Sequence, residues 1–290
     1  MIARTLSLLG KLALLFSVNA DAGDLLARYT DKIGARANAI AQLDDATILA
    51  EEARLAPLAS DMLLQVGPMI RKGGTGTAVQ AFLLEQFEQQ GWLPMMYGYQ
   101  GYPAAVAVSV NNQVSAAPPT DVPFPDAALV KVELIAASAR AHVAQVWTFA
   151  TLDATPAQHQ LLATARRALA SGIAQVHGGE PLSNVGAAIQ QVLDAGQAVA
   201  VHEFAGYAMG QARIQKPQVL GYKVEGDSPL MQPGQVLNVY VIAKAGSFGV
   251  RYRPPDFWSL LSKDGADGVM LSAMVEVTAD GHRLLSRMLD

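Results

Sequence analysis

The five histidines are the side chains of this sequence best suited to metal or acid–base chemistry. They show no HxH or HExxH spacing, the patterns that bring two ring nitrogens to one ion, and they stand at His142, His159, His177, His202 and His282. The chain has no cysteine, which excludes thiolate metal sites, a cysteine nucleophile and disulfides. A replacement zinc site is therefore not predicted, and each histidine is expected to be a surface or structural residue.

The sequence leaves open a site for a single metal ion around Glu133. His142 precedes Ala144 by two residues in a strand-like run, so both side chains are expected on the same face of that strand. If Glu133 of the preceding strand-like run faces the same space, Glu133 and His142 would bind a single metal ion. This arrangement is an alternative to a protein that binds no metal.

Nucleotide and serine-hydrolase chemistry have weaker support. The cluster "KGGTGT" at Lys72 lacks the Gly-Lys-Ser/Thr ending of a phosphate-binding loop, and no GxSxG elbow occurs. The glycines therefore predict the start of a helix.

Composition limits the class of protein. The 290 residues are 51% hydrophobic and 16% charged, which excludes an intrinsically disordered chain and predicts a large core. The net charge is -4, and the 21 Lys and Arg residues form no basic run, so nucleic acid is not an expected partner.

Hydrophobic periodicity predicts the elements that position these residues. A spacing of three and four predicts helices, and alternation with many Val and Ile residues predicts strands. Helices are expected within Ala46–Met69 and over Val79–Gln90, Ala157–Gln175 and Asn184–Asp194. Strands are expected in "AAVAVSV", "ALVKVELIAAS", "AHVAQVWTFA", "QVLNVYVIAKAG", "GVRYR" and "VMLSAMVEVTADG", and Asn111-Asn112 is expected to turn the first of them into a hairpin.

The sequence also contains an internal echo. The segment "GGTGTAVQAFLLEQFEQQGW" at Gly73 is similar to "GGEPLSNVGAAIQQVLDAGQ" at Gly178, and a segment of glycine and aromatic residues follows each. This repeat predicts two related αβ halves about a pseudo-two-fold axis. A site is expected where the two halves meet.

The first 45 residues form an N-terminal extension in either of two readings. Arg4 and Lys11, the apolar run Leu12–Val18 and Ala20-Asp21-Ala22 have the order of a signal peptide, whereas the interruption at Lys11 favours an amphipathic helix. The apolar run is too short to span a bilayer. The location is expected to be cytoplasmic, or periplasmic or secreted if residues 1–22 are cleaved.

Together these segments resemble the type I methionine aminopeptidases of peptidase family M24. The resemblance rests on "GGTGTAVQAFLLEQFEQQG", "GYPAAVAVSVNNQV", "VHEFAGYAMG", "KPQVLGY", "MQPGQVLNVYVIAKAG" and "VEVTADG", which occur in the family's order. It implies an α+β pita-bread domain over residues 46–286. In that fold, two pseudo-two-fold-related αβ halves form a curved antiparallel sheet that helices cover.

The same resemblance implies that the family's metal site has degenerated. Members of the family hold two divalent metals with two Asp, one His and two Glu. The matching positions here are Glu133, Ala144, Tyr207, Tyr240 and Ser272, so one carboxylate is left. The two active-site histidines of the family correspond to Ala116 and Ile214.

The residues that match the family's hydrophobic pocket are better preserved than those that match its metal ligands. Met96, Tyr99, Tyr102 and Trp258 stand at positions that hold the methionine side chain in the family, although Ala107 and Arg213 replace other members of the pocket. These four residues therefore predict either a residual hydrophobic pocket or simple core packing.

Two classes of function follow. The first is a non-catalytic module without a metal cofactor that binds a protein or peptide partner, with an apolar N-terminus as one candidate ligand. The second is an active hydrolase of the same family with mono-metal or metal-free chemistry. Both require Glu133, Ala144, Tyr207, Ile214, Tyr240 and Ser272 to converge on one central site.

Overall fold

The computed structural model describes residues 24, 28–254 and 256–289. Its helices are α1 (residues 28–40), α2 (Asp45–Val66), α3 (Gly76–Gln90), α4 (Pro156–Ile173) and α5 (Ser183–Ala195). Short 3-10 turns occupy Gly67–Met69 and Tyr99–Gly101. The four predicted helical segments are confirmed. The predicted signal-like segment lies outside the described residues.

Local sequence signals explain where these helices begin and end. The Thr75 hydroxyl accepts the Ala78 N–H at the start of α3, and Gly91, with φ of 67°, ends that helix in the left-handed conformation. Thr155 and Gln158 form a capping box at the start of α4, directly around Pro156. Gly73 precedes α3 with φ of 80° and Gly179 precedes α5 with φ of 83°, although the internal echo aligns Gly73 with Gly178.

Strand pairing is antiparallel throughout the ladders of the described chain. The strands are β1 (Leu93–Pro94), β2 (Val106–Val110), β3 (Gln113–Ser115), β4 (Leu129–Ala137), β5 (His142–Ala150), β6 (Val199–Ala200), β7 (Gly206–Met209), β8 (Gln215–Val219), β9 (Val236–Lys244), β10 (Val250–Tyr252), β11 (Leu260–Ser262), β12 (Gly268–Thr278) and β13 (Gly281–Leu284). One sheet has the order β1-β4-β2 with β5 on β4, another has β13-β12-β9-β7-β8 with β6 on β9, and a small sheet has β10-β11-β3.

The two large sheets meet where β5 and β12 lie side by side. The Thr148 hydroxyl donates to the Met270 carbonyl at 2.7 Å, and the Met270 N–H donates back to that hydroxyl at 2.9 Å. The Val146 N–H donates to the Ser272 hydroxyl at 3.1 Å. Helix α2 packs on β5, and α4 packs on β9 and β12. The predicted arrangement of two αβ halves with antiparallel strands and covering helices is confirmed.

The predicted hairpin at Asn111-Asn112 is wrong in its pairing. Asn111 does turn the chain, with φ of 49°, but β3 pairs with β11 while β2 pairs with β4. The reason is that Asn111 is bonded elsewhere: its side chain accepts the Leu129 N–H at 2.9 Å, and its carbonyl accepts the Gly268 N–H at 3.1 Å. These long-range bonds join the turn to β4 and β12.

The described part of the N-terminal extension is helix α1, which packs on the first half. Ile40 is fully buried, and Arg36 donates from Nη1 to the Ala137 carbonyl at 3.1 Å. Within the residues that the structure describes, no helix is long and apolar enough to cross a membrane.

Candidate functional site

A cavity of about 440 Å³ lies at the junction of the two halves. Its wall includes Glu133 of β4, Tyr207 of β7 and Tyr240 of β9. The segment before β2 supplies Met96, Tyr99 and Tyr102, and the loop between β10 and β11 supplies Phe257 and Trp258. Residues from both large sheets and from five connecting segments therefore form one site.

The structure brings nine of the eleven predicted site positions to this cavity. They are Met96, Tyr99, Tyr102, Ala116, Glu133, Tyr207, Ile214, Tyr240 and Trp258. Ala144 and Ser272 are not among the described residues that line it, but each lies opposite a lining residue in the sheet, Ala144 opposite Ile135 and Ser272 opposite Tyr240. The Ser272 hydroxyl accepts the Val146 N–H of β5 instead, at 3.1 Å. That the eleven positions correspond to a metal centre and its surroundings stays a prediction.

A chain of hydrogen bonds connects the polar groups in the cavity. The Tyr240 hydroxyl donates to Glu133 Oε1 at 2.9 Å, and the hydroxyls of Tyr207 and Tyr240 are 3.3 Å apart. Burial raises the pKa of Glu133, while the hydrogen bond from Tyr240 and the charge of Arg213 lower it. Burial also raises the pKa of Tyr207 to about 12 and that of Tyr240 well above its usual value, and the nearby Glu133 charge adds to both. Both tyrosines are therefore neutral near pH 7.

We expect the substitution Tyr240→Phe to raise the pKa of Glu133 further above its usual value, because it removes the hydrogen bond that stabilises the ionised carboxylate. Isotope-edited infrared titration of the carboxyl group measures this value. Tyr207→Phe is the control, since its hydroxyl bonds Tyr240 and not the carboxylate, and it should change the pKa less. Equal values in the wild type and Tyr240→Phe would contradict the role of this bond.

Arg213 lines the cavity through contacts that sequence reasoning did not predict. The sequence marks it only as a replaced pocket residue beside Ile214. In the structure its guanidinium carbon lies 3.7 Å from the centre of the Tyr99 ring, and Nη1 donates to the Met95 carbonyl. Nε is buried without a hydrogen-bond partner. Burial lowers the pKa of Arg213, and the charge of Glu133 is among the groups that raise it.

The mouth of the cavity has an apolar rim. Tyr99, Ile214, Tyr252 and Phe257 all line the cavity and are also exposed, with 40%, 37%, 47% and 65% of their surface accessible. Exposed apolar residues that cluster in this way are typical of interaction sites. Inside, the Tyr102 and Trp258 rings meet edge to face at 5.3 Å.

The five histidines, all within the described chain, lie outside the cavity wall. His142 Nδ1 lies 3.4 Å from the Gly210 carbonyl oxygen, and burial lowers the pKa of His142 to about 4. His177 and His282 contact the backbone oxygens of Gly178 and Val176. Among the described residues, no group of three or more His, Cys, Asp and Glu side chains is placed to hold a metal ion.

Comparison with known proteins gives one consistent result. A family model described as metallopeptidase family M24 matches residues 53–279. Methionine aminopeptidase 1 of Bacillus subtilis is 27% identical over 217 residues, which cover 74% of this chain and 87% of the relative.

Two solved structures of methionine aminopeptidases share the fold. The one from Thermotoga maritima superposes with a TM-score of 0.79 at 21% identity and covers 83% of this chain and 97% of its own. The one from Rickettsia prowazekii gives 0.79 at 19% identity, with 82% and 96% covered. The expected pita-bread fold is thereby confirmed.

Proposed function

The chain belongs to metallopeptidase family M24, and from that premise we propose that it is a methionine aminopeptidase-like protein that binds a protein or peptide partner without hydrolysing it. The observation that carries the proposal is the content of the cavity. Its wall holds Glu133, the neutral hydroxyls of Tyr207 and Tyr240, the cation of Arg213 and, towards the mouth, the exposed Glu203.

The residues present do not fit a pair of divalent metals. Two cations a few ångströms apart need several carboxylate oxygens to bridge them and balance their charge. Of the five positions that match the family's ligands, Glu133 alone offers a carboxylate. Oε1 of Glu133 is bonded to Tyr240, the Ser272 hydroxyl accepts the Val146 N–H, and Ala144 has no ligand atom. The Arg213 guanidinium in the same wall would also repel a cation.

The apolar part of the site supports the binding role. The slot lined by Met96, Tyr99, Tyr102 and Trp258 opens through the apolar rim, so an apolar side chain entering it would leave water. Burying one such side chain contributes about 1.5 to 3 kcal/mol. A gain of this size would favour an apolar terminal residue over one without a side chain about ten- to a hundredfold.

We expect no metal-dependent release of methionine by this protein. Purified protein equilibrated with Co²⁺ or Mn²⁺ should retain no stoichiometric metal by elemental analysis. It should also release no free methionine from Met-initiated peptides. Methionine aminopeptidase 1 of Bacillus subtilis, assayed in parallel, is the positive control for assay conditions. Metal-dependent methionine release that survives repeated purification would overturn the proposal and favour the alternative of an active hydrolase.

The domain boundaries follow from the same proposal. We place the methionine aminopeptidase-like domain at residues 46–286, with residues 1–45 as an extension. The contacts of α1 with the first half support an extension that is anchored on the domain at its described end.

A further inference from the structure

We propose that the cavity is a receptor for a free apolar α-amino acid in its zwitterionic form. Arg213 would bind the carboxylate, Glu133 the ammonium group, and the aromatic slot the side chain. The inference rests on the proposed function, because it requires that the cavity bind a ligand. It goes beyond that function in the ligand it assigns, because a free amino acid takes the place of a peptide N-terminus in the cavity.

The Arg213 guanidinium has an unused hydrogen-bonding edge. Its contacts fix its position on one side: Nη1 bonds the Met95 carbonyl, and the Tyr99 ring supports its face. Nε is buried without an acceptor, and the hydrogen bonds of the described residues do not use Nη2. Nε and Nη2 together form the edge that binds the two oxygens of a carboxylate in parallel. An unsatisfied buried donor is costly, so a carboxylate that binds Nη2 would gain further free energy if a small shift of the Arg213 side chain brought Nε within its reach.

Glu133 supplies the opposite charge in the same cavity. Within the described chain, Oε1 of Glu133 accepts the hydrogen bond from the Tyr240 hydroxyl, which leaves Oε2 for a ligand. The charge of Arg213 lowers the pKa of Glu133, and the charge of Glu133 raises that of Arg213. The two side chains nevertheless form none of the ion pairs within 4.0 Å between described residues. Two opposite charges that share a cavity without contact complement a molecule with both charges on adjacent groups.

The rest of the wall selects an apolar side chain. Tyr102 and Trp258 meet edge to face, and Met96 lies beside them on the wall. A volume of about 440 Å³ exceeds that of a single amino acid. A peptide with the same first residue would present a neutral amide to Arg213 in place of a carboxylate. The guanidinium therefore favours the free amino acid over a peptide N-terminus.

Calorimetry with four probes tests this inference. The probes are L-phenylalanine, L-phenylalaninamide, N-acetyl-L-phenylalanine and a C-terminally amidated peptide that begins with phenylalanine. The free amino acid should bind at least about tenfold more tightly than the amide and the N-acetyl derivative, because each derivative lacks one of the two charged contacts.

Three variants separate the contributions of Arg213 and Trp258 to binding. Arg213→Met should weaken the free amino acid about tenfold or more, to the level of the amide, and leave the amide unchanged. Trp258→Ala should weaken the amino acid and the amide by the same factor. Arg213→Lys, which keeps the charge and loses the two-pronged edge, should fall between the wild type and Arg213→Met. Thermal unfolding of each variant checks that it is folded.

The outcomes distinguish this inference from the proposed function. If the amidated peptide or the amide binds as tightly as the free amino acid, or if Arg213→Met weakens the acid and the amide alike, the carboxylate receptor is refuted while the binding role stands. If the wild type binds none of the four probes, both proposals are refuted for this cavity.

Discussion

Replacing Glu52 by glutamine is expected to remove a large pH dependence, between pH 4.5 and 8, in the stability of this protein. Glu52 lies in α2 with 1% of its surface exposed, and its Oε1 has no hydrogen-bond partner. Burial raises its pKa from 4.5 to about 8. Since one pKa unit corresponds to about 1.4 kcal/mol, this carboxyl group makes the free energy of unfolding depend on pH by about 5 kcal/mol.

The sign follows from proton uptake. Between about pH 4.5 and 8 the folded protein keeps a proton on Glu52 that the unfolded chain has lost. The contribution of Glu52 to the free energy of unfolding should therefore be most favourable below pH 4.5 and should decrease as the pH rises towards 8. In Glu52→Gln this decrease should disappear. Urea unfolding at half-unit pH intervals measures both curves.

The neighbouring Glu51 provides a matched control with the opposite sign. Arg54 and Ser138 donate hydrogen bonds to Glu51, and these bonds lower its pKa. Its stabilising contribution is present above pH 4.5 and is lost as the pH falls below that value. Glu51→Gln should leave the decrease between pH 4.5 and 8 in place. If the free energy of unfolding of Glu52→Gln changes between pH 4.5 and 8 in the same way as that of the wild type, the assignment to Glu52 is wrong.

The elements that could be predicted from the sequence are those whose signals are local. Helix α4 carries its own capping box at Thr155 and Gln158, and α3 has its cap at Thr75 and its stop at Gly91. Long strands such as β4 and β9 are buried along their whole length, so their Val-rich sequence is itself the signal. Each of these features can be read within about ten residues.

The β2–β3 connection shows why other features could not be predicted. Asn111-Asn112 is a good local turn signal, but the partners of Asn111 are Leu129 and Gly268, far away in the chain. A hairpin prediction considers only the flanking residues. The tertiary bonds give β3 a different neighbour, β11.

The candidate site also has one part that the sequence predicts and one part that it does not. Family resemblance gives the positions of Glu133, Tyr207 and Tyr240, because each lies in a strand whose register the sequence pattern fixes. The role of Arg213 depends on the irregular connection between β7 and β8, which places its guanidinium over Tyr99 from a different segment. Replacement of a pocket residue by arginine was visible in the sequence, whereas its unused hydrogen-bonding edge was not.

The register of β7 also explains why a glycine precedes Tyr207. Gly206 pairs with Val219 of β8, and Tyr207 pairs with Asn238 of β9. A Cβ atom at position 206 would overlap the Asn238 carbonyl oxygen and lie 3.1 Å from both the Val219 Cβ and its carbonyl oxygen. Backbone atoms of two flanking strands cannot both move aside, so β7 itself would have to shift.

We therefore expect Gly206→Ala to lower the free energy of unfolding by on the order of 3 kcal/mol, as for an overpacked core position. The shift of β7 should also separate the Tyr207 and Tyr240 hydroxyls, now 3.3 Å apart, and weaken ligand binding in the cavity. Urea unfolding and calorimetry with the amidated phenylalanine peptide measure the two effects.

Gly34→Ala makes the same chemical change where there is room for it. Gly34 lies in helix α1, and a Cβ atom there would meet no atom within 4 Å. Alanine also restricts the unfolded chain, so this variant should be more stable than the wild type by about 0.5 to 1 kcal/mol. Opposite signs for the two glycine variants would show that the close approach of β8 and β9 requires glycine at position 206. Equal, small effects would mean that β7 yields easily, and that the Tyr207–Tyr240–Glu133 chain does not depend on its present register.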